Sequence, residues 1–281
     1  MIRAPVDVAR TRRVAAPTPL QSALLSSVTF VRHGLTYRVP RMGKAEGNIG
    51  LGAPRDRDDA WEMRKLWCAA IGVDPEMIVT MGQVHGNDVI RVHAEDAGKG
   101  SRESCAHIGI ADALITNAPN VVLMTLHADC QPILLVDPIH RAIGAAHAGW
   151  RGTVADVGGG TVTAMREAFG SNPADLLAYL GPAIGPDQNE VGHEVIDAWL
   201  EQASDLGEDA MSAVLKPGPK HHFDVPTANR LLLLRVGLAP EHIEASDICT
   251  KTNKDSWFSH RGHGPNAGRE GALIAIAGDA S

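Results

Sequence analysis

Aromatic residues and cysteines are both scarce in this chain of 281 residues. It contains 4 Phe, 5 Trp and 2 Tyr, so its core must be built mainly from aliphatic side chains. The 4 cysteines are widely spaced and form no C-x-x-C pair, which excludes a disulfide-rich scaffold and favours reduced thiols in a cytoplasmic protein. A chain of this length buries roughly three quarters of its unfolded surface and therefore folds without disulfide bonds.

An excess of positive charge and long apolar runs are also missing. Acidic residues outnumber basic ones 33 to 26, which excludes the basic footprint of a nucleic-acid-binding surface. The longest apolar runs, such as Val121–Leu126 and Leu231–Leu234, are much shorter than the roughly 18 to 20 residues of a membrane-spanning helix. We therefore expect neither nucleic acid nor a membrane among the partners of the protein.

Glycine and proline are abundant, with 29 and 17 residues, and they separate short aliphatic segments. This pattern is typical of an α/β protein with many tight junctions between strands and loops. It predicts strands over Ile78–Thr80, Val89–Val92, Ala113–Thr116, Val121–Leu126, Ile133–Val136, Ala142–Ala146, Leu176–Leu180 and Ala272–Ile276. Helices are predicted over about 56–71, 153–169, 190–203 and 224–237. Because strands and helices do not alternate strictly, we expect a layered α/β sandwich with mixed β-sheets.

The first residues differ in composition from the rest of the chain. Residues 1–19 hold four arginines and one acidic residue, without the apolar core of a signal sequence. We interpret residues 1–27 as an N-terminal extension that is flexible at its start. No internal repeat or low-complexity linker interrupts the rest, so residues 28–281 are expected to form a single catalytic domain.

Three motifs stand apart from the other histidines and cysteines. They are Met81–Gly86, His127–Pro132 and His147–Gly152, and each follows a strand-like segment. Two histidines and one cysteine from these motifs would form a three-ligand zinc set with an open fourth position, as catalytic zinc sites do. Their gaps of 45 and 17 residues match no short zinc motif, so spacing alone leaves the metal site undecided.

These motifs resemble a family variously called laccase-domain, polyphenol oxidase-like or purine nucleoside phosphorylase, whose bacterial members are also named peptidoglycan editing factor. The resemblance covers about residues 28–277. Further matching segments are Ala111–Thr116, Leu180–Pro186, Glu190–Gly192, Phe258–Arg261 and Gly268-Arg269.

The resemblance implies a fold, a metal site and an activity. The fold is an α/β sandwich with mixed sheets, and the zinc ligands fall on His85, Cys130 and His147. The implied activity is on small purine nucleosides and phosphate. It comprises phosphorolysis of adenosine, inosine and methylthioadenosine, and deamination of adenosine.

Candidate substrate-binding residues follow from the same resemblance and from the chemistry of arginine. Arg38, Arg151 and Arg261 are candidates for holding phosphate or ribose, because a guanidinium fork matches phosphate geometry. Asn48, at the end of the loop that follows Arg38, is a fourth candidate. Each arginine could instead form a surface or structural ion pair.

Two acidic residues lie close to the presumed ligands in the sequence. Asp112 and Asp129 either orient a metal ligand or cap a turn. We leave His127 out of the metal site, because an odd offset from Cys130 along a strand would point it to the opposite face. The cysteines outside the motifs are expected to be dispensable for activity: Cys68, Cys105 and Cys249.

The chain departs from the family pattern around the expected pocket. Where the family has a Gly-Gly-x-Ser loop, an Arg-Arg-Asp run and a Cys-Tyr pair, this chain has Val39-Pro40-Arg41 after Arg38, Arg261-Gly262-His263 and Gln188-Asn189. These differences remove anion and base contacts at the rim. They bear on substrate preference more than on the metal.

Three alternatives to the zinc nucleoside enzyme stay open. A copper-dependent polyphenol oxidase is one, although multicopper sites are typically built from His-x-His pairs and no two of the 13 histidines are two residues apart. A cysteine hydrolase would use Cys130 as nucleophile and His147 or His85 as base. The third alternative is an editing enzyme for peptidoglycan precursors. The oligomeric state is left open.

Overall fold

The computed structural model describes residues 17–215 and 219–278, which form two large β-sheets stacked face to face, with helices on both outer surfaces. The order of layers is helix, four-stranded sheet, six-stranded sheet and helices. The α/β sandwich with mixed sheets expected from the sequence is thus confirmed.

The four-stranded sheet has the strand that is last in the sequence near its middle. From edge to edge it consists of β1 (Val31–Leu35), β13 (Glu270–Ile276), β5 (Val122–His127) and β2 (Ile78–Val79). Strand β13 pairs antiparallel with both β1 and β5, whereas β2 pairs parallel with β5.

The six-stranded sheet is antiparallel at its centre and parallel at both edges. Its strands in order are β12 (Ile243–Ala245), β8 (Leu177–Leu180), β6 (Gln131–Asp137), β7 (Ala142–Ala148), β4 (Ala113–Thr116) and β3 (Val89–Arg91). A small third sheet consists of β10 (Val214–Leu215), β11 (His221–Phe223) and β9 (Glu190–Val191).

The helices cover the outer faces and one end of the sandwich. They are α1 (Ala23–Ser26), α2 (Arg57–Ile71), α3 (Trp150–Val154), α4 (Val157–Phe169), α5 (His193–Gln202), α6 (Val225–Arg235) and α7 (His260–His263). Short 3₁₀ segments lie at Pro75–Met77, Ala94–Asp96, Pro173–Asp175, Pro186–Gln188, Ser204–Ala213 and Pro240–His242. Across the described ranges, no helix combines the length and apolar character needed to cross a bilayer.

Alternation of side chains along the central strands divides the interior into separate cores. In β6, Leu134 and Val136 point toward the four-stranded sheet, while Ile133 and Leu135 point toward α4 and α6. Side chains alternate in the same way along β5. Leu123 points toward the six-stranded sheet, and the residues on either side of it point toward α2. Central strands that are buried on both faces have nearly continuous apolar sequences, and these strands were therefore predictable.

All eight predicted strands and the helices over 56–71 and 224–237 are present, with ends within about two residues. The helix predicted over 153–169 is instead two helices, because Asp156 adopts a left-handed backbone conformation with φ of 58°. Its carboxylate accepts the Gly159 N–H at 2.9 Å and so starts α4 afresh. The helix predicted over 190–203 begins only at His193, because the first two residues form β9.

Part of the predicted N-terminal extension packs against the sheets. Leu20 forms a β-bridge with Leu35, and Leu25 is completely buried in the core between the sheets. The buried His33 ring accepts the Ser22 N–H at 3.0 Å, and burial lowers the pKa of His33 to about 4, so the ring is neutral at pH 7. The flexible start expected for the extension lies outside the described residues up to position 16, and the boundary at residue 27 stays a prediction.

Leu25→Ala tests whether this segment stabilises the domain. We expect the variant to lose about 2–5 kcal/mol of unfolding free energy, because the removed methyl groups leave a cavity in the core. Urea denaturation measures the change, and Leu24→Ala, at a partly exposed neighbour, should lose much less. An unchanged free energy for Leu25→Ala would show that the segment packs without stabilising the sandwich.

Candidate metal centre and its cavity

Three side chains that are far apart in the sequence meet at one end of the sandwich. One ligand atom each from His85, Cys130 and His147 lies within 4.8 Å of the other two. Zinc bond lengths of about 2.0–2.3 Å place tetrahedral ligands about 3.3–3.8 Å apart, so a closure of the side chains by about 1 Å accommodates an ion. The structure therefore brings together the three residues that the sequence motifs singled out.

The sheet pairing places two of these residues side by side. Strands β6 and β7 pair Pro132 with His147, and Cys130 lies in the turn just before β6. Gly149 then leaves room for the group, since a Cβ atom there would lie 2.8 Å from the His85 ring and 2.9 Å from the Cys130 sulfur. Any side chain at position 149 would displace two of the three ligands.

Asp112 holds both histidines in place from beneath the site. Its carboxylate accepts His147 Nδ1–H at 2.9 Å, which leaves Nε2 of that ring for the site. The same carboxylate accepts the backbone N–H groups of Val84, His85 and Gly86 at 3.1, 3.0 and 2.6 Å. These three bonds stabilise the loop in which His85 adopts a left-handed backbone conformation with φ of 63°.

Asp129 anchors the cysteine-bearing turn to the other side of the site. One of its oxygens accepts the Thr250 hydroxyl and the other accepts the Arg261 N–H, both at 2.6 Å. It thus ties the turn before β6 to the start of α7, and its hydrogen bonds do not reach either histidine. The ligand-orienting contact expected from the sequence is made by Asp112.

In the metal-free protein, the Cys130 thiolate and the protonated His147 ring form an ion pair. Burial raises the pKa of the Cys130 thiol, but the charge and hydrogen bond of His147, with a hydrogen bond from His85, outweigh it and lower that pKa to about 6. Burial lowers the pKa of His147, but the Cys130 thiolate and Asp112 outweigh it and raise that pKa to about 9. A thiolate at neutral pH is the form in which cysteine binds metals.

The three residues lie on the wall of a cavity of about 640 Å³. This volume falls within the range of about 300–1,000 Å³ that is typical of small-molecule sites. Apolar walls come from residues such as Met81, Leu126, Trp150, Ile184 and Val225, and basic walls come from Arg55, Arg64, Arg151, Arg261 and Arg269.

Two of the predicted substrate-binding residues line this cavity, and two are engaged elsewhere. Arg151 lies over the Trp150 ring at 4.2 Å, and Arg261 reaches the carbonyl of Glu190 at 3.2 Å. The Arg38 guanidinium forms an ion pair with Glu46 at 2.6 Å and also donates to the Asp255 carbonyl at 2.7 Å.

Asn48 is the other predicted substrate-binding residue that the structure keeps out of the cavity wall. Its fully buried amide accepts the N–H groups of Gly50 and Arg269 and donates to the Gly50 carbonyl. Asn48 fixes the loop before α2, and its side chain is satisfied by backbone groups.

His127 lies beside the centre, and the reason for leaving it out of the metal site was wrong. Cys130 is in a turn after β5, so the strand offset does not apply, and the His127 ring is 5.2 Å from the His147 ring. Its two nitrogens contact the Thr125 hydroxyl at 2.7 Å and the Cys130 carbonyl at 3.1 Å. These contacts occupy both nitrogens and keep the ring out of the ligand set.

The remaining cysteines are free thiols outside the ligand set. Cys68 lies on the buried face of α2, and burial raises its pKa to about 12. Cys249 accepts the Gly185 N–H at 3.1 Å and lines a separate cavity of about 470 Å³. That these thiols and Cys105 are dispensable for activity stays a prediction.

The sequence analysis missed Arg55, Arg64 and Arg269, all of which line the cavity. The signal available for Arg269 was its position in the Gly268-Arg269 match, and the signal for Arg64 was a charge on the buried face of α2. Arg55 precedes the helix-capping Asp56 and carries no motif of its own.

Two stacked mixed sheets with a two-histidine, one-cysteine donor set in a basic cavity define a class of α/β proteins with a candidate metal centre. The chain belongs to the multi-copper polyphenol oxidoreductase laccase family, whose model matches residues 29–277.

Curated relatives and solved structures agree with this assignment. The chain is 33% identical over 233 residues to purine nucleoside phosphorylase YlmD of Bacillus subtilis, covering 82% of this chain and 81% of the relative. It is 36% identical over 214 residues to purine nucleoside phosphorylase YfiH of Escherichia coli, covering 76% and 80%. The crystal structure of YlmD from Geobacillus stearothermophilus matches with a TM-score of 0.83 and 31% identity over 89% of this chain and 93% of that one. These relatives support an enzyme.

Asp112→Asn should weaken metal binding by about 10–100-fold, because the amide cannot accept from all four N–H groups and no longer fixes the His147 ring. Competition with a chromogenic chelator measures the affinity. Asp137→Asn is the matched control, since Asp137 accepts His140 Nδ1–H at 2.8 Å and backbone N–H groups away from the site. Equal metal affinity in wild type and Asp112→Asn would contradict the role of this carboxylate.

Alkylation of the metal-free protein should follow the lowered pKa of Cys130. We expect iodoacetamide to modify Cys130 with a midpoint near the pKa of about 6, rising with pH as the thiolate forms. Mass spectrometry of each cysteine peptide reads the rates, with buried Cys68 as the unreactive internal control. His147→Gln should move the Cys130 midpoint to higher pH, and a midpoint that does not move would refute the ion pair.

Proposed function

We propose that this protein is a zinc-dependent purine nucleoside enzyme that phosphorolyses adenosine, inosine and methylthioadenosine and also deaminates adenosine. The observation that carries the proposal is the donor set of His85, Cys130 and His147 on the wall of a cavity large enough for a nucleoside. Relatives named purine nucleoside phosphorylase support the substrate class.

Zinc suits this donor set for chemical reasons. One thiolate and two neutral imidazoles are ligands that zinc accepts readily, and three protein ligands leave a position for a reactant. Asp112 fixes the proton of His147 on Nδ1, so that Nε2 offers its lone pair to the ion. When bound, zinc supplies a Lewis acid that polarises an oxygen of the attacking reactant.

The walls of the cavity suit the two ends of a nucleoside reaction. The apolar surfaces of Met81, Trp150 and Ile184 match the faces of a purine ring, and Arg151 and Arg261 offer donors to the ribose. In phosphorolysis the bond between C1′ and the purine nitrogen breaks, a phosphate oxygen bonds to C1′, and the base leaves with a proton. Positive charge develops at C1′ in the transition state, so a nearby anionic oxygen lowers the barrier.

Copper oxidation of phenols is less well supported, although the family description names copper. Within residues 17–215 and 219–278, one group of three metal-ligating side chains is present, whereas multicopper chemistry needs several centres. The same site would accept copper in vitro, because copper outcompetes zinc in raw affinity. Oxygen uptake with a phenolic substrate after copper loading tests this activity directly.

A cysteine hydrolase is a second candidate, because Cys130, His147 and Asp112 form a relay of nucleophile, base and orienting carboxylate. Elemental analysis separates the two candidates. One zinc per chain in the purified protein would occupy the thiolate and exclude this reading, whereas a metal-free protein that hydrolyses its substrate would support it.

Cys130→Ala should abolish phosphorolysis and deamination of adenosine together, because both reactions depend on the same metal. Steady-state assays with and without phosphate, alongside zinc content, measure the effect. Cys249→Ser is the matched control, since this thiol lies in the separate cavity and should keep both activities and the metal. If Cys130→Ala kept zinc and deaminase activity, the shared-metal proposal would be wrong.

A further inference from the structure

Two arginines on the cavity wall share one backbone acceptor. Arg55 donates to the Ala267 carbonyl oxygen through Nε at 3.1 Å and Nη2 at 2.6 Å. Arg269 donates to the same oxygen through Nη1 at 2.7 Å. One carbonyl oxygen therefore holds two positive charges side by side at the edge of the cavity.

Among the described residues, neither guanidinium group forms an ion pair with a carboxylate, although Glu270, Cys130 and Asp129 act on Arg269 from further away and raise its pKa. In the part of the chain that the structure describes, the other side-chain partners of Arg55 and Arg269 are the carbonyls of Gly52 and Gly268, and neither arginine forms an ion pair. Burial lowers the pKa of both guanidinium groups, and the charge of Arg269 lowers that of Arg55 further. Like charges held together in a partly buried place are costly unless an anion joins them.

The nearest acidic side chains do not supply that anion. Burial raises the pKa of Glu270 well above its usual value, and the carboxyl group of Glu270 accepts the Phe258 N–H at 3.0 Å. Both oxygens of Asp129 accept hydrogen bonds from Thr250 and from the Arg261 backbone.

One edge of the Arg269 guanidinium group makes no hydrogen bond to the described residues. Its Nη1 atom makes both side-chain hydrogen bonds, to Ala267 and Gly268, whereas Nε and Nη2 have no hydrogen-bond partner within the described ranges. The Nε–Nη2 edge is one that can bind an oxyanion through two parallel hydrogen bonds.

A third arginine adds positive charge to the same cavity. Arg64 is 2% exposed and donates only to the carbonyls of Ile49, Gly100 and Ser101. Burial lowers its pKa to about 10, which keeps it charged at neutral pH.

We propose that Arg55 and Arg269, supported by the charge of Arg64, form an oxyanion subsite that binds a phosphate group in the same cavity as Cys130 and the two histidines. The identification of this group as the co-substrate rests on the proposed function. The subsite replaces the phosphate role expected for Arg38, whose fork is occupied by Glu46. It also replaces that role for Arg261, whose Nη1 and Nη2 atoms contact the Glu190 carbonyl oxygen and Asn189 Oδ1, whereas Arg269 uses only Nη1 for its hydrogen bonds within the described ranges.

The test measures phosphate binding separately from catalysis. Isothermal titration of the purified holoenzyme with inorganic phosphate gives the dissociation constant, and nucleoside cleavage at varied phosphate gives KM for phosphate. For Arg55→Gln and Arg269→Gln we expect both constants to rise about tenfold or more, with a smaller change in KM for the nucleoside. Arg32→Gln is the matched control, because Arg32 is exposed and also donates only to backbone carbonyls.

Lysine variants show whether a loss of phosphate binding comes from the missing guanidinium group or from a folding defect. Arg55→Lys and Arg269→Lys keep the charge but lose the fork, so they should bind phosphate more tightly than the glutamine variants and less tightly than wild type. Phosphate binding that is unchanged in all four variants, or that is lost only in Arg261→Gln, overturns the subsite even if phosphorolysis is observed.

The two proposals fail in distinguishable ways. A wild-type protein that cleaves no nucleoside, but whose phosphate binding is lost in Arg55→Gln and Arg269→Gln, retains the subsite and refutes the phosphorylase. Adenosine monophosphate identifies the source of the phosphate group. If it binds more than tenfold tighter than adenosine and inorganic phosphate displaces it, the subsite serves the phosphoryl group of a nucleotide; equal affinities assign it to free phosphate.

Discussion

The site depends on a single buried carboxylate that accepts four hydrogen bonds. Asp112 is completely buried, and the N–H groups of His147 and of the loop containing His85 converge on it. Burial raises its pKa, but these bonds outweigh it and hold the pKa below its usual value, so the carboxylate stays charged. Asp112 directly precedes β4, which pairs with β7, so its carboxylate joins the end of the six-stranded sheet to the loop that connects β2 with β3.

The parts of the fold that were predictable are those in which burial imposes a local pattern. Strand β4 was predicted to the residue, because it is buried on both faces and its first three residues are apolar. Strand β1, with Arg32, His33 and Gly34 in five residues, has no such pattern, and pairing with β13 makes it a strand. The break between α3 and α4 at Asp156 was also missed. A residue with a left-handed backbone conformation does not change the helical spacing of the apolar residues around it, so the sequence pattern does not show the break.

In the site, the residues that belong to a motif were predictable from the sequence. Whether a side chain is free to bind a ligand depends on its neighbours in the folded chain, and this was not predictable. The two histidines and Cys130 stood in recognisable motifs, and they do converge. An arginine is available to a ligand only if no carboxylate reaches it, and that is a property of the folded chain. Glu46 occupies Arg38, whereas Arg55 and Arg269 meet only carbonyls, and nothing in their neighbouring sequence distinguishes the two situations.

The place of β13 in the four-stranded sheet has a consequence for how the protein is made. This strand lies between β1 and β5, so β1 lacks its partner strand and β5 is paired only with β2 until residues 270–276 have been synthesised. A second long-range contact also closes late, because Ser22 donates to Glu244 at 2.7 Å across 222 positions. High contact order slows folding. On the ribosome, the nascent chain must therefore keep two unpaired strand edges from aggregating until almost the whole domain has emerged, which makes it a candidate client for chaperones during translation.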